Sequence, residues 1–206
     1  MQRFLINIPW WLKMAYPKRV WNFSRNERKI YLSFDDGPHP VATPFVLDLL
    51  AKYQARATFF CIGKNVELYP DIYARILREG HSVGNHTQNH LNGWKTPDVT
   101  YLENISLARN HIKSSLFRPP YGRLRTAQAR KLADYRIIMW DVLSGDFDKS
   151  LTVEDCTRNV IRHTNNGSIV VFHDSEKAWP IMNNVLPVVL EHFKKEGFEF
   201  AAIPER

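Results

Sequence analysis

Apolar runs rich in β-branched and aromatic residues recur at Lys29–Phe34, Ala57–Cys61, Ser82–Asn85, Leu116–Arg118, Arg136–Trp140, Ser168–Phe172 and Phe198–Ala201. Their bulk and brevity predict seven strands, most of them apolar on both faces, as in a parallel sheet covered by helices. Between them the apolar spacing changes to a helical period. Pro44–Tyr53 is one such segment, and Asp71–Glu79 is another that stops at Gly80. Thr100-Tyr-Leu-Glu103 reads as a capping box opening the next helix, and Thr152 with Asp155 opens a further one. The last predicted helix spans about Asn184–Lys195, with Pro187 in its first turn and Gly197 as its stop.

Strand alternating with helix predicts an α/β fold, and periodicity alone leaves a closed barrel and an open doubly wound sheet both standing. In such folds functional side chains gather at the C-terminal ends of the strands. Polar, ligand-type residues fall at those ends repeatedly. Asp35 and Asp36 end the first strand, His86 the third, Arg118 the fourth and His173 the sixth, while Asp141 and Asp146 follow the fifth.

Composition narrows the picture. With 206 residues and 44% hydrophobic content the chain can build one sizeable core, and no repeat or low-complexity tract divides it. The formal net charge is +7, but lysines and arginines are scattered from Arg3 to Arg206, so a solvated surface and no nucleic-acid partner are expected. Cys61 and Cys156 lack Cys-x-x-Cys spacing and read as buried free thiols.

Residues 1–28 read as an aromatic and basic extension packed on a catalytic unit of residues 29–206. Trp10, Trp11, Tyr16 and Trp21 interleave there with Lys13, Lys18 and Arg19, which suits either a lid across the bottom of the core or a peripheral membrane contact. No stretch has signal-peptide layout or transmembrane length, so the expectation is a monomer in the cytoplasm, at most membrane-peripheral.

The richest chemistry lies in Ser33-Phe34-Asp35-Asp36-Gly37-Pro38-His39-Pro40. Adjacent carboxylates repel, so a metal or an arginine is needed to hold both ionised. His86 and His90 are four apart, which on a helical turn places both imidazoles on one face, ready to share a metal. Either Asp36 or Asp35 can complete a set of two histidines and one acid, with Gly37 free to take a positive φ and splay the two carboxylates.

These stretches together resemble the polysaccharide deacetylase family, the NodB-like enzymes of carbohydrate esterase family 4. The likeness rests on Ser33-Phe34-Asp35-Asp36-Gly37, His86-Thr87-Gln88-Asn89-His90, Arg118-Pro119-Pro120-Tyr121-Gly122 and Val171-Phe172-His173, in that order, and spans about Lys29 to Ile203. Val171 stands where the family more often has leucine, and the fit is weakest after the fifth strand. Where the family usually has Asp-x-x-Asp-Trp, this chain reads Leu143-Ser144-Gly145-Asp146-Phe147.

The resemblance implies a distorted (β/α) barrel of about seven parallel strands and a hydrolase that removes acetyl groups from an N-acetylated sugar, with release of acetate. By it, Asp36, His86 and His90 would hold one divalent metal, Zn2+ foremost with Co2+ or Ni2+ as substitutes, that polarises a water and the acetyl carbonyl oxygen. Asp35, paired with Arg118, would be the general base, and the backbone N–H of Tyr121 would hold the oxyanion. His173 would protonate the leaving amine, oriented by Asp146 with Asp141 as a rival. Pro120, Tyr121, Trp94 and Phe147 would line the acetylated carbohydrate. Metal, base and acid do not themselves read the sugar, so hydrolysis of another amide or an O-acetyl ester stays open, as does a non-catalytic carbohydrate-binding relative.

Overall fold

The strand Lys29–Asp35 (β1) alternates its side chains between two buried faces, and the rest of the fold is built outward from it. The structure is a computed structural model that describes residues 5–205. Ile30, Leu32 and Phe34 point into the main core beneath the helices, whereas Tyr31 joins the smaller inner cluster and Ser33 and Asp35 turn toward Arg118. This two-residue period is why one strand supplies both core and chemistry. Phe34 is sandwiched between Phe59 at 5.1 Å and Phe172 at 6.1 Å between ring centroids.

On one side β1 pairs with Thr58–Cys61 (β2), which pairs with Ser82–Asn85 (β3), then Leu116–Phe117 (β4) and Arg136–Ile137 (β5). On the other side lie Ile169–His173 (β7) and, beyond it, Val142–Leu143 (β6), while Glu199–Phe200 (β8) pairs with the start of β1. Every one of these pairings is parallel. The sheet curls into the distorted (β/α) barrel expected, and its register aligns Asp35 with His173 on the neighbouring strand.

The helices are Trp10–Ala15 (α1), Ala42–Lys52 (α2), Gly63–Leu68 (α3), Pro70–Arg78 (α4), Asp98–Arg109 (α5), Thr126–Arg130 (α6), Val153–His163 (α7) and Trp179–Lys195 (α8). Both cysteines are free and buried, as their spacing predicts. No helix among the described residues is long and apolar enough to cross a membrane.

β5 and β6 do not pair with each other, and the N-terminal segment runs across that seam. Asn7 bridges antiparallel to Val142, Val20 bridges parallel to Ile138, and Ile8 N–H donates to Asp141 O at 3.1 Å. Ile6, Ile8 and Trp21 are buried by this strap, while the six residues of α1 bury none of theirs.

Several local expectations give way to tertiary context. β6 has only two residues and is absent from the sequence reading, because its alternation is too short to register. The predicted box at Thr100 is not the start of α5, which begins two residues earlier at Asp98, held there by Arg125 at 2.8 Å. The Thr152–Asp155 box does form. α8 begins at Trp179, so Pro187 lies inside it rather than in its first turn. Burial of Met182, Val185, Leu186, Val189, Leu190 and Phe193 along one face offsets the missing backbone bond. At the start of α2 the Nδ1 of partly exposed His39 accepts from Ala42 N–H at 3.1 Å.

Candidate active site

The two motifs that carry acid and imidazole leave their strands through left-handed backbone rather than through a helix. Beyond β1 it is Asp36, at φ 80°, that takes the positive φ expected of Gly37. Gly37 is required for a different reason, since a β-carbon there would collide with the carboxylate of Asp174. Beyond β3, Thr87 at φ 65° and His90 at φ 56° replace the expected helical turn. Asn85 pins this loop by accepting Thr87 N–H at 2.8 Å while donating to Ile105 O at 3.0 Å.

These loops bring one donor atom each from Asp36, His86 and His90 within 4.8 Å of one another. Asp36 Oδ1 lies 3.1 Å from His90 Nε2 and 3.6 Å from His86 Nε2, is buried and completes no hydrogen bond. His86 Nδ1 sits 2.7 Å from Arg118 O. A carbonyl only accepts, so Nδ1 carries the hydrogen and the Nε2 lone pair faces the carboxylate. Burial, against the fields of Asp35 and Asp36, pushes the His86 pKa down to about 4, so the ring is neutral at pH 7. Burial opposes ionisation of Asp36, but the close approach of His90 and the charges of His173, His90 and His86 outweigh it and hold the carboxyl below the usual range. A bare imidazole nitrogen aimed at an unsatisfied carboxylate oxygen is a donor set that fits a divalent cation, and two histidines with one acid leave positions open.

On one flank is Asp35, 4% exposed, whose Oδ1 accepts from Arg118 Nη1 at 2.6 Å. Arg118 is fully buried and spends its other donors on Ser33 Oγ at 2.9 Å, Met139 O at 3.0 Å and Ile138 O at 3.4 Å, with its guanidinium 4.0 Å above the Phe60 ring. On the other flank is His173. Asp146 grips it twice, accepting the His173 backbone N–H at 2.8 Å on Oδ2 and facing Nδ1 at 2.8 Å with Oδ1. Burial lowers the His173 pKa, but Asp146 first, then Asp36 and Asp35, raise it to about 9 overall.

Asp141, the rival for this contact, is engaged elsewhere. It pairs with Lys13, with Arg25 at 2.7 Å and with Ser168 Oγ at 2.7 Å, tying down the N-terminal strap.

The turn Pro120–Gly122 stands beside His90. Tyr121 is at φ 59°, 60% exposed, with its ring centroid 4.6 Å from that of His90. Gly122 N–H bonds to Pro119 O and Arg123 N–H to Pro120 O, leaving the N–H of Tyr121 outside those two bonds. Phe147 packs edge-on against His173 at 4.9 Å. Pro120 is buried in the turn, and exposed Trp94 lies under the Arg123 guanidinium at 4.1 Å.

The sequence pattern of the family described as Polysaccharide deacetylase matches residues 23–138, more than half of the chain. The chain belongs to this family. A peptidoglycan-N-acetylglucosamine deacetylase of Bacillus cereus is 35% identical over 194 residues, covering 90% of this chain and 91% of its own. A chitooligosaccharide deacetylase of Azorhizobium caulinodans is 32% identical over 160 residues, covering 73% of this chain and 76% of its own. The solved structure of the Bc1960 peptidoglycan N-acetylglucosamine deacetylase superposes with a TM-score of 0.87 at 28% identity, over 96% of this chain and 95% of that one. The present chain is accordingly a carbohydrate deacetylase of the hydrolase class.

One residue of this deacetylase escapes sequence reasoning although it braces the acidic turn. Asp174 is fully buried, accepts Gly37 N–H at 3.1 Å and the Thr43 hydroxyl at 2.5 Å, and donates its own N–H to Asp35 O at 3.1 Å. Burial pushes its pKa up to about 8, with the Thr43 hydroxyl opposing and the charge of Asp36 adding. Asn65 completes the brace by donating to Asp36 O at 2.7 Å. The only sequence signal for Asp174 is an acid immediately after the histidine that ends a buried strand.

Proposed function

We propose that this deacetylase removes the acetyl group from an N-acetylated amino sugar in an N-acetylglucosamine-containing glycan, oligosaccharide or precursor, in a metal-dependent hydrolysis that releases acetate. The observation that carries the reading is the pairing of opposite protonation needs around one donor set. A carboxylate held by arginine (Asp35–Arg118) and an imidazolium held by carboxylate (His173–Asp146) flank Asp36, His86 and His90. The peptidoglycan and chitooligosaccharide deacetylases to which the chain is similar support the substrate class.

In this reading Asp36, His86 and His90 hold one divalent cation, Zn2+ foremost and Co2+ or Ni2+ as substitutes. When bound, the cation supplies Lewis acidity toward the acetyl carbonyl oxygen and the attacking water. Arg118 engages Oδ1 of Asp35, which leaves Oδ2 to take the water's proton as the O–C bond forms. The negative charge that develops on the carbonyl oxygen meets the N–H of Tyr121, presented by the rigid Pro119-Pro120 turn. His173 gives its Nε2 proton to the departing nitrogen as the C–N bond breaks, because its Nδ1 is held by Asp146. Pro120, Tyr121, Trp94 and Phe147 form the sugar-facing wall, and residues 29–205 form the catalytic unit on which 5–28 pack, residues 1–4 and 206 lying outside the described residues.

Acetate release across N-acetylglucosamine oligomers, peptidoglycan fragments and O-acetylated xylan tests the reading. The amino-sugar substrates are expected to be turned over, with loss on chelation and recovery on adding Zn2+, Co2+ or Ni2+; release from xylan alone would overturn the amide assignment.

Asp146→Asn tests the acid. The amide keeps the shape but removes the charge that does most to hold His173 protonated, so the alkaline limb of the kcat profile should move to lower pH and kcat at pH 8 should fall about 10- to 100-fold. An unmoved alkaline limb would remove His173 from the acid role.

A further inference from the structure

Among the described residues, five of the thirteen exposed large apolar side chains fall in one short stretch, namely Leu5, Trp10, Trp11, Met14 and Tyr16. Trp10 is 75% and Met14 71% exposed, and they lie four residues apart on the same side of α1. The segment carrying them is nevertheless anchored. Ile8 and Trp21 are buried on either side, and Lys13 reaches back to Asp141 and to Asn22 Oδ1 at 3.3 Å. A fixed backbone that holds out tryptophan and methionine to solvent is an interaction surface rather than a lid.

Where α1 ends, a groove of about 640 Å3 opens between the strap and the α6–β5 connection. Its apolar lining includes Ala129, Leu132 and Ile137, its charged lining residues are Lys18, Arg19 and Arg130, and no acidic residue lines it. None of the catalytic cluster lines it either.

We infer that α1 and this groove dock on an anionic lipid surface, with Trp10, Trp11 and Met14 entering the interface and the exposed Lys18 and Arg130 facing the lipid phosphates. Tryptophan beside cationic side chains is the chemistry that an acyl–headgroup boundary satisfies on both counts. A second copy of the chain fits less well, because symmetric pairing would oppose the same cations, in a protein whose net charge is already +7.

The orientation follows from the strap. Asp141, which anchors Lys13, precedes β6 and bonds Ser168 just before β7, so α1 is tethered at the N-terminal ends of the strands. Asp35 and His173 sit at their opposite ends. Docking therefore leaves the catalytic rim facing away from the lipid, and it holds whichever acetylated sugar the site accepts.

The experiment uses the full chain and co-sedimentation with vesicles of equal parts phosphatidylglycerol and phosphatidylcholine, beside vesicles of phosphatidylcholine alone. Binding to the anionic vesicles is expected, with a blue shift of tryptophan emission, and it should weaken as salt is raised. The triple variant Trp10→Ser, Trp11→Ser, Met14→Ser should lose about a hundredfold in partition coefficient, and Lys18→Glu with Arg130→Glu should lose about tenfold or more, on the anionic vesicles only. Both variants should keep the far-UV spectrum and the turnover of a soluble substrate, since the altered side chains lie outside the core and the site. Failure of the parent to bind anionic vesicles, equal binding by parent and triple variant, or equal binding to neutral vesicles would overturn the inference. So would a concentration-dependent dimer abolished by the triple variant, which would give the face to a second copy.

Discussion

Replacing Asp35 by asparagine is expected to leave one bound divalent cation per chain and to cut kcat by about 10²- to 10⁴-fold, the usual contribution of a positioned base. The side chain keeps its volume, and its oxygen can still accept from Arg118, so Asp36, His86 and His90 should keep their geometry. What is lost is the charge and the basic oxygen on Oδ2. His86→Ala is the complementary variant. It removes the nitrogen whose tautomer Arg118 O fixes, and it should lose both the cation and the turnover. Elemental analysis with titration calorimetry reads the cation, and acetate release reads the turnover. Full activity in Asp35→Asn would sink the base assignment, and a fully loaded His86→Ala would sink the ligand set.

Arg118→Met is expected to lower stability by about 3–5 kcal/mol, because it leaves the carboxylate of Asp35 buried without its partner. Both groups are within a few per cent of complete burial, so water cannot replace what is removed. The guanidinium also ties three segments together, through Asp35 and Ser33 on β1, its own strand end after β4, and the carbonyls of Ile138 and Met139 beyond β5. Adding Asp35→Asn to Arg118→Met should restore part of the loss, since no bare charge then remains inside. Asp35→Asn alone should cost less than Arg118→Met, because Arg118 keeps three other acceptors. Urea unfolding of the parent, both single variants and the double variant closes the cycle. A single-variant midpoint equal to that of the parent would show that the pair orders the site without supporting the fold.

The strand–helix alternation was legible because each element buries an apolar face whose period is written locally. The gathering of Asp35, Asp36, His86, Arg118 and His173 was legible too, since parallel strands all end on the same rim. Local backbone detail was less so. The spacing of His86 and His90 suggested a helical turn, yet they converge through a loop with left-handed Thr87 and His90, stabilised by Asn85 and by contacts from α5. Gly37 looked like the flexible hinge, yet Asp36 is the residue that turns, because Asp174 occupies the space beside Gly37.

The sequence by itself determined the number and order of most elements, the buried thiols and which ligand-type residues reach the strand ends, all of which depend on patterns within a few residues. Only the tertiary structure decided between Asp146 and Asp141, placed Asp174 behind the acidic turn and left α1 exposed on an anchored strap. Those outcomes depend on which strands are neighbours, and β1 lies beside β7 rather than only beside its successor. A carboxylate is oriented by whatever the fold brings within hydrogen-bond reach. For Asp141 that is Lys13, Arg25 and Ser168, and for Asp146 it is His173, so burial and partner choice set roles that identical side chains in sequence do not distinguish.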